Sequence, residues 1–421
     1  MVPKGWEETK LIDTSAKEKY SFTGGPFGSD LKSSDYTDNG VRIIQLQNIG
    51  DGKFNNGYKI FTSEEKADEL SSCNIFPGEI ILSKMGDPVA RATIIPSHHK
   101  RYLMASDGIR LKVDESKYDT FFIHEVINAP HFRGIALSKS TGSTRKRIGL
   151  TDLKNITFHC PPLIEQQKIA KILSTWDKAI STTERLIDNT IQQKKALMQQ
   201  LLTGKKRLLD DEGERFEGEW DWVDLEDVCD VKGGKRLPKG NALSEAKTSN
   251  PYIRVADMYI GGVDLSDIKY VPESIAPLIK NYTISKDDLF ITVAGTLGIV
   301  GKIPNELDGA NLTENADKLT NIKCDKTFLL YVMMSSIIQR YIEAESTQNA
   351  QPKLALARIR GFKVPLPNLE EQQKIATVLT NADKEIELLE QQLADLQQEK
   401  KALMQVLLTG KVRVLVNGEV A

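Results

Sequence analysis

The stretch KKALMQQLLTGKKR at 194–207 returns as KKALMQVLLTGKVR at 400–413. No other feature limits the architectures open to this chain of 421 residues as strongly, because a repeat makes each copy one supersecondary unit. The repeat is longer than its ending. Between 165–205 and 371–411, 23 of 41 positions are identical at a constant offset of 206, with no gap. Each copy follows prolines, Pro161-Pro162 in the first and Pro365 and Pro367 in the second, and each closes on Leu-Leu-Thr-Gly-Lys. Proline before and glycine after punctuate a helix.

Inside each copy the apolar residues keep one period. Ile375, Leu379, Ala382, Ile386, Leu389, Leu393, Leu396, Leu403 and Leu407 step by four and three alternately, and only Lys400 interrupts the heptad stripe. The same positions in the first copy are Ile169, Leu173, Trp176, Ile180, Thr183, Ile187, Thr190, Lys194, Leu197 and Leu201. A helix of such length is a rod of roughly 60 Å at 1.5 Å per residue. Its stripe must be covered to be stable in water, so the two rods are natural partners. The residues between them make a full domain, so length permits parallel or antiparallel pairing. Repetition of a domain-plus-helix unit points to an internal pseudo-twofold axis and favours antiparallel.

The globular segments repeat more faintly. Gly24-Gly25 precedes Gly233-Gly234 by 209 residues; VRIIQLQNI (41–49) aligns with NPYIRVADM (250–258), and GEIILSKMG (78–86) with DDLFITVAG (287–295). The last two pairs read as strands ending near glycine. Helices are expected over Thr120–Asn128 and Phe328–Glu343, and the acidic stretch Asp210–Glu219 reads as a linker. The expected fold class is α+β: two mixed α/β domains, 1–160 and 209–365 (linker included). A long helix follows each, in 161–208 and 366–421, and the two helices form an antiparallel coiled coil with pseudo-twofold symmetry.

Net charge is −2, so any nucleic-acid contact must come from local basic loops. No run of 18 apolar residues and no apolar leader is present, which predicts a soluble, cytoplasmic protein with no membrane partner. Cys73, Cys160, Cys229 and Cys324 are isolated, and His98-His99 has no accompanying cysteine pair, so no metal site is expected. Gly295–Lys302 only superficially suggests a phosphate loop: the spacing is wrong, and Ile303 stands where a serine or threonine is needed. Asn128-Ala-Pro-His-Phe132 resembles the box with which amino-methyltransferases grip a flipped base, but it lacks the second adjacent proline and a glycine-rich cofactor loop. No catalytic residue is proposed; the chain is expected to bind and position.

The order of globular domain, PPLIEQQKIAKIL…KKALMQQLLTGKKR, globular domain, PLPNLEEQQKIATVL…KKALMQVLLTGKVR resembles the specificity subunit of type I restriction–modification systems. GGPFGSDLKSSDY (24–36) followed by VRIIQLQNI resembles the opening of that family's target-recognition domains. The resemblance spans essentially the whole chain. It implies that each domain reads half of a bipartite sequence in double-stranded DNA and that the antiparallel helices fix the distance between the halves. It also implies docking of two methyltransferase subunits and two restriction subunits. S-adenosylmethionine, ATP and Mg2+ belong to those partners, with no cofactor and no catalysis in this chain.

Duplex binding calls for Lys and Arg on phosphates and for Arg, Lys, Asn or Gln on base edges. The densest basic stretch is KSTGSTRKR, with Lys139, Arg145, Lys146 and Arg147. Its positional counterpart, ESTQNAQPK (345–353), offers Gln348, Asn349, Gln351 and Lys353. A second candidate is the glycine turn with Lys232, Lys235 and Arg236; Lys84, Arg101 and Arg254 are weaker ones. On the rods, the residues off the stripe, Gln166, Gln167 and Lys168 with Gln372, Gln373 and Lys374, are candidates for partner docking, against a role in helix capping or local salt bridges. Two rival readings are a coiled-coil scaffold that never touches DNA and a DNA-modifying enzyme carrying its own reader.

Overall fold

The computed structural model describes residues 2–346, 353–416 and 419–420. The chain divides into two units: Met1–Glu184 with Gln391–Ala421, and Arg185–Glu390. Both division points fall inside the long helices, Leu163–Leu201 and Leu369–Leu407. Each unit therefore holds one mixed α/β domain, the first part of one long helix and the last part of the other.

In the first unit a four-stranded sheet runs in the order Phe22–Gly24, Gly108–Leu111, Ile80–Ser83, Ala92–Ile94. A second sheet runs Tyr36–Thr37, Ile60–Thr62, Val41–Ile44, Tyr102–Met104, Asn74–Ile75, with Val41–Ile44 and Tyr102–Met104 parallel. The second unit repeats the plan. One sheet is ordered Asp230–Gly233, Ala316–Thr320, Leu289–Thr292, Val300–Lys302. The other is Lys269–Tyr270, Pro251–Ile253, Ala310–Leu312, Thr283–Ile284, again with one parallel pair. The aligned apolar runs are strands in both domains. Ile80–Ser83 and Leu289–Thr292 are wholly buried, which is why they read as continuous apolar rather than alternating. Gly295–Lys302 is a turn with Gly295 and Gly298 at positive φ leading into a strand.

Thr120–Asn128 is a helix, capped by the Asp119 carboxylate, which accepts from the Phe122 amide. Its counterpart is not the single helix expected over Phe328–Glu343. Lys326–Met334 and Ser336–Ser346 are separate, broken at Ser335, whose backbone is extended and whose hydroxyl bonds Val332 O. Proline announces the same break after Ala129 in the first domain; serine does not in the second. The acidic stretch Asp210–Glu219 is an ordered turn. Asp210 Oδ1 accepts from the amides of Glu212 and Glu214, and Phe216 is buried with the Lys374 ammonium over its ring.

The helices pair antiparallel within each unit. In the first, Glu165 meets Arg413 and Asp177 meets Lys400; in the second, Lys194 meets Asp383 and Arg207 meets Glu371. Partners descend along one helix as they ascend along the other. The stripe faces inward: Ile169, Leu173, Thr183, Ile187, Thr190, Ile375 and Leu379 are buried, and the Thr183 hydroxyl is satisfied by Ala179 O. Each repeated ending packs on the opposite helix's start and on a domain. Leu407 and Leu408 join Ile169 and Leu173 in the first core; Leu201 and Leu202 join Ile375 and Leu379 in the second. Gly204 and Gly410 close the helices with left-handed backbones, φ 68° and 67°.

Candidate nucleic-acid interface

At one edge of the first domain four turns are knit together by backbone bonds. Gly25 N donates to Gly108 O (2.8 Å), Lys84 N to Asp107 O (2.7 Å), Ile148 N to Lys84 O (2.9 Å) and Gly86 N to Lys146 O (3.1 Å). Thr141 and Arg147 exchange both backbone bonds, so the basic stretch is an anchored hairpin rather than a free loop. Gly25 is required here for a packing reason: a Cβ on it would lie 1.9 Å from Ala105 O. The sequence therefore places Lys84, Lys146 and Arg147 together with the glycine turn. Arg145 and Lys146 are exposed and make no ion pair among the described residues; Lys139, at the end of the helix Pro130–Ser138, is likewise exposed and unpaired. Arg147 is bound by the Asp107 carboxylate.

The second domain builds the same edge with other side chains. Gly234 N donates to Ala316 O, Val293 N to Asn315 O and Leu354 N to Val293 O, and a Cβ on Gly234 would lie 2.1 Å from Thr313 O. This scaffold puts Lys353 where the first domain has Arg147, and Asn315 where it has Asp107. Lys232 pairs with Asp230 (3.0 Å), an exposed and screened contact that leaves the ammonium available. Arg236 is exposed and meets Glu314 at 2.5 Å; Lys235 lies over the Tyr282 ring at 5.5 Å. Asn349 and Gln351, with Gln348, lie outside the described residues.

Two single-residue candidates are engaged elsewhere. Arg101 is held between Glu64 and Asp68. Arg254 is clasped by Asp257 and Asp267, which hold its pKa above the ordinary value. Both guanidiniums are paired with carboxylates of their own domain. A lone arginine in the sequence carries no sign of the acids that fold onto it.

The docking candidates divide. Gln166 and Gln372 are buried and cannot face a partner. The Gln166 carbonyl accepts from Asp119 N and its amide donates to Pro161 O (2.9 and 2.8 Å); Gln372 does the same with Asp325 N and Pro367 O (2.8 and 2.7 Å). Each glutamine ties the helix start to the capping aspartate of a domain helix. Lys168 and Lys374 are half-buried and donate to Leu415 O and Leu209 O. Gln167 and Gln373 are exposed.

Sequence reasoning missed the residues that lock these junctions. Glu165 is buried between the Arg413 guanidinium (2.7 and 2.8 Å) and Trp6 Nε1 (3.2 Å). Glu371 is held in the same way by Arg207 (2.6 and 2.8 Å) and Trp220 Nε1 (3.1 Å). The tryptophans lie outside the repeat's constant offset, so only the glutamates and arginines could have been paired from sequence. Beside each last turn lies an apolar groove. One, about 620 Å³, is lined by Ala129, Phe132, Phe158, Met404 and Leu408; the other, about 380 Å³, by Ile191, Met198, Leu202, Met334 and Ile337.

Among the described residues no group of histidines, cysteines and carboxylates could hold a metal ion. Burial pushes the Cys160 and Cys229 thiols up to about 12, and Cys324 to about 11, which leaves them unreactive near neutral pH. Asp317 is buried one strand position after Ala316, and burial raises its carboxyl to about 6 although Lys353 and Arg360 pull the other way. A folded-state pKa above the unfolded value destabilises the charged form, so stability is gained as pH falls through 6 and the cost is full above it. Asp317→Asn should therefore stabilise the chain at pH 8 by about 3 kcal/mol and leave it nearly unchanged at pH 4. Thermal melts showing the same shift at both pH values would contradict this assignment.

Two mixed domains, each followed by a long helix, with antiparallel halves locked by repeated Glu–Arg–Trp clusters, define a duplicated domain-plus-helix scaffold. The family model described as "Type I restriction modification DNA specificity domain" matches residues 30–193 and 217–398. The chain belongs to this family: it is a DNA specificity subunit of a type I restriction–modification system, a non-catalytic component of that enzyme. It is 25% identical over 347 residues to the type I restriction enzyme MjaVIII specificity subunit of Methanocaldococcus jannaschii, covering 80% of this chain and 77% of that one. It is 23% identical to the EcoBI specificity subunit of Escherichia coli, covering 83% and 74%. Among solved structures, the type I system S subunit from M. genitalium superposes with TM-score 0.55 at 18% identity, covering 97% of this chain and 99% of that one. A chain from a study of complex assembly and conformational transition of the type I R-M system superposes with TM-score 0.58 at 15% identity, covering 98% and 100%. Family membership replaces both the scaffold and the modifying-enzyme alternatives.

Proposed function

We propose that the two domains read the two halves of a bipartite duplex target through their equivalent edges. The observation that carries this is one backbone scaffold dressed with different chemistry: Arg147 against Lys353, Asp107 against Asn315. A shared scaffold supplies phosphate contact in both halves, and the changed side chains supply different letters. The long helices set the spacing between the halves, in the manner of a ruler. The two apolar grooves, with exposed Gln167 and Gln373, support two equivalent docking places for methyltransferase subunits, and two restriction subunits join for cleavage. S-adenosylmethionine, ATP and Mg2+ act on those partners. No helix among the described residues is long and apolar enough to cross a membrane, and the reading places the complex with DNA in the cytoplasm.

The test is direct. Neutralising Arg145 and Lys146 to glutamine in the assembled methyltransferase should weaken duplex binding and lower the slope of log K against log salt by about two. Adding Arg147→Gln should change the slope less than either, because Asp107 already compensates that charge. An unchanged slope in the double variant would remove this edge from the interface.

A further inference from the structure

We propose that Phe27 contacts a nucleobase of the target, as the specificity-determining residue at the tip of the first domain's glycine turn; this rests on the edge reading above. Phe27 is 83% exposed, the most exposed large apolar side chain described. It is not on a frayed segment. Its neighbour Pro26 is buried, Gly25 is fixed by its bond to Gly108 O, and Asp30 N closes a turn on Phe27 O at 2.9 Å. The fold thus holds an aromatic ring out in water at a defined place, outside the hydrophobic clusters of the domain.

The surroundings name the ligand class. A Cβ on Gly24 would lie 3.1 Å from Lys84 Nζ, so an ammonium stands beside the turn. Lys84 carries the backbone bonds to Asp107 and Ile148 that anchor the basic hairpin of Arg145 and Lys146. Cations for phosphates thus flank an apolar ring, the combination with which side chains reach thymine methyls or base faces. Phe27 also borders a hollow of about 210 Å³ with Tyr36, Gln45, Ser106 and Asp107, polar groups of the kind that read base edges.

The second domain adds an independent observation. Gly24 and Gly233 hold the same register on the neighbouring strand, opposite Ile109 and Asp317. The third residue beyond each is Phe27 in one domain and Arg236 in the other; the Arg236 side chain is also exposed, at 78%, with its Nε on Glu314 and its other guanidinium nitrogens turned to solvent-accessible space. Arginine at the matching tip is the residue type that most often reads guanine. One scaffold position therefore carries two different base-contacting chemistries.

The experiment measures binding of the assembled methyltransferase to a duplex bearing its methylation target and to a random duplex, for Phe27→Ala and the Arg145→Gln/Lys146→Gln variant side by side. Phe27→Ala should lower specific affinity about tenfold, leaving random-duplex affinity and salt slope as in wild type. Uracil in place of thymine, or 2-aminopurine fluorescence, then tells methyl contact from base unstacking. Phe27→Trp gives a second reading: its fluorescence should be quenched by the target duplex more than by the random one. Wild-type discrimination in Phe27→Ala, or equal quenching by both duplexes, overturns the proposal. If the basic variant weakens binding while Phe27→Ala does not, Phe27 alone fails; if neither changes, the edge reading fails with it.

Discussion

Replacing Lys400 with methionine should destabilise the chain by about 3–5 kcal/mol at neutral pH. Lys400 donates to both oxygens of Asp177 (2.7 and 2.8 Å) and lies 2.9 Å from Glu125. Glu125 is buried, so removing the ammonium leaves a buried carboxylate with His124 and the like-charged Asp177 beside it. Burial by itself would lower the Lys400 pKa; Glu125 and Asp177 outweigh it and hold it above the ordinary value. For Glu125, burial pushes upward, but His124 and Lys400 outweigh it and hold the carboxyl low. In the wild type that contribution is present above about pH 4.5 and is lost as pH falls through the lowered folded value. In the variant the sign reverses: Glu125 is raised, and stability recovers as pH falls because the carboxyl can take a proton. Urea melts of Lys400→Met at pH 7.5 and pH 5 should show the deficit shrinking at the lower pH. A deficit independent of pH, or one not relieved by adding Glu125→Gln, would show that Lys400 acts by packing. Lys194→Met should cost less, about 1 kcal/mol, because its partner Asp383 is more than a third exposed and is also held by Tyr331 (2.6 Å).

The second large effect concerns the ruler. Seven residues preserving the stripe, inserted after Glu184 and again after Glu390, lengthen both helices by about 10 Å. At roughly 3.4 Å per base pair, the spacer of the methylated target should grow by about three base pairs, with both half-sites keeping their letters. Methylome sequencing of cells carrying the altered system reads both quantities at once, and an unchanged spacer would refute the ruler. Insertion into one helix alone should instead fail to assemble, because Asp177–Lys400 and Lys194–Asp383 could not both keep register.

These two lysines show how far the sequence carries the fold. In the periodicity Lys400 is an interruption of the stripe, and Lys194 stands at the same place in the first copy. The structure makes both of them register pins, the use to which polar residues at such positions are put. The repeat was enough to expect two domains, two helices and antiparallel pairing, since a constant offset and a shared stripe are visible in one dimension. Which off-stripe residues remain free was not visible. Gln166 and Gln372 are covered by domain helices arriving from 119 and 325, and periodicity within a helix carries no record of such neighbours. The acids that pair with Arg101 and Arg254 are hidden for the same reason, whereas composition alone marks the cluster of cations at 139–147.

The exchange of helix ends also sets an order of assembly on the ribosome. The second unit, Arg185–Glu390, is one continuous stretch and has its whole core once residue 390 is made. The first unit begins earlier yet lacks Leu403, Leu407, Leu408 and Val414 until the last segment emerges. The domain synthesised first is thus completed last, and its exposed seam on Ile169 and Leu173 is what nascent-chain chaperones would meet in the interval.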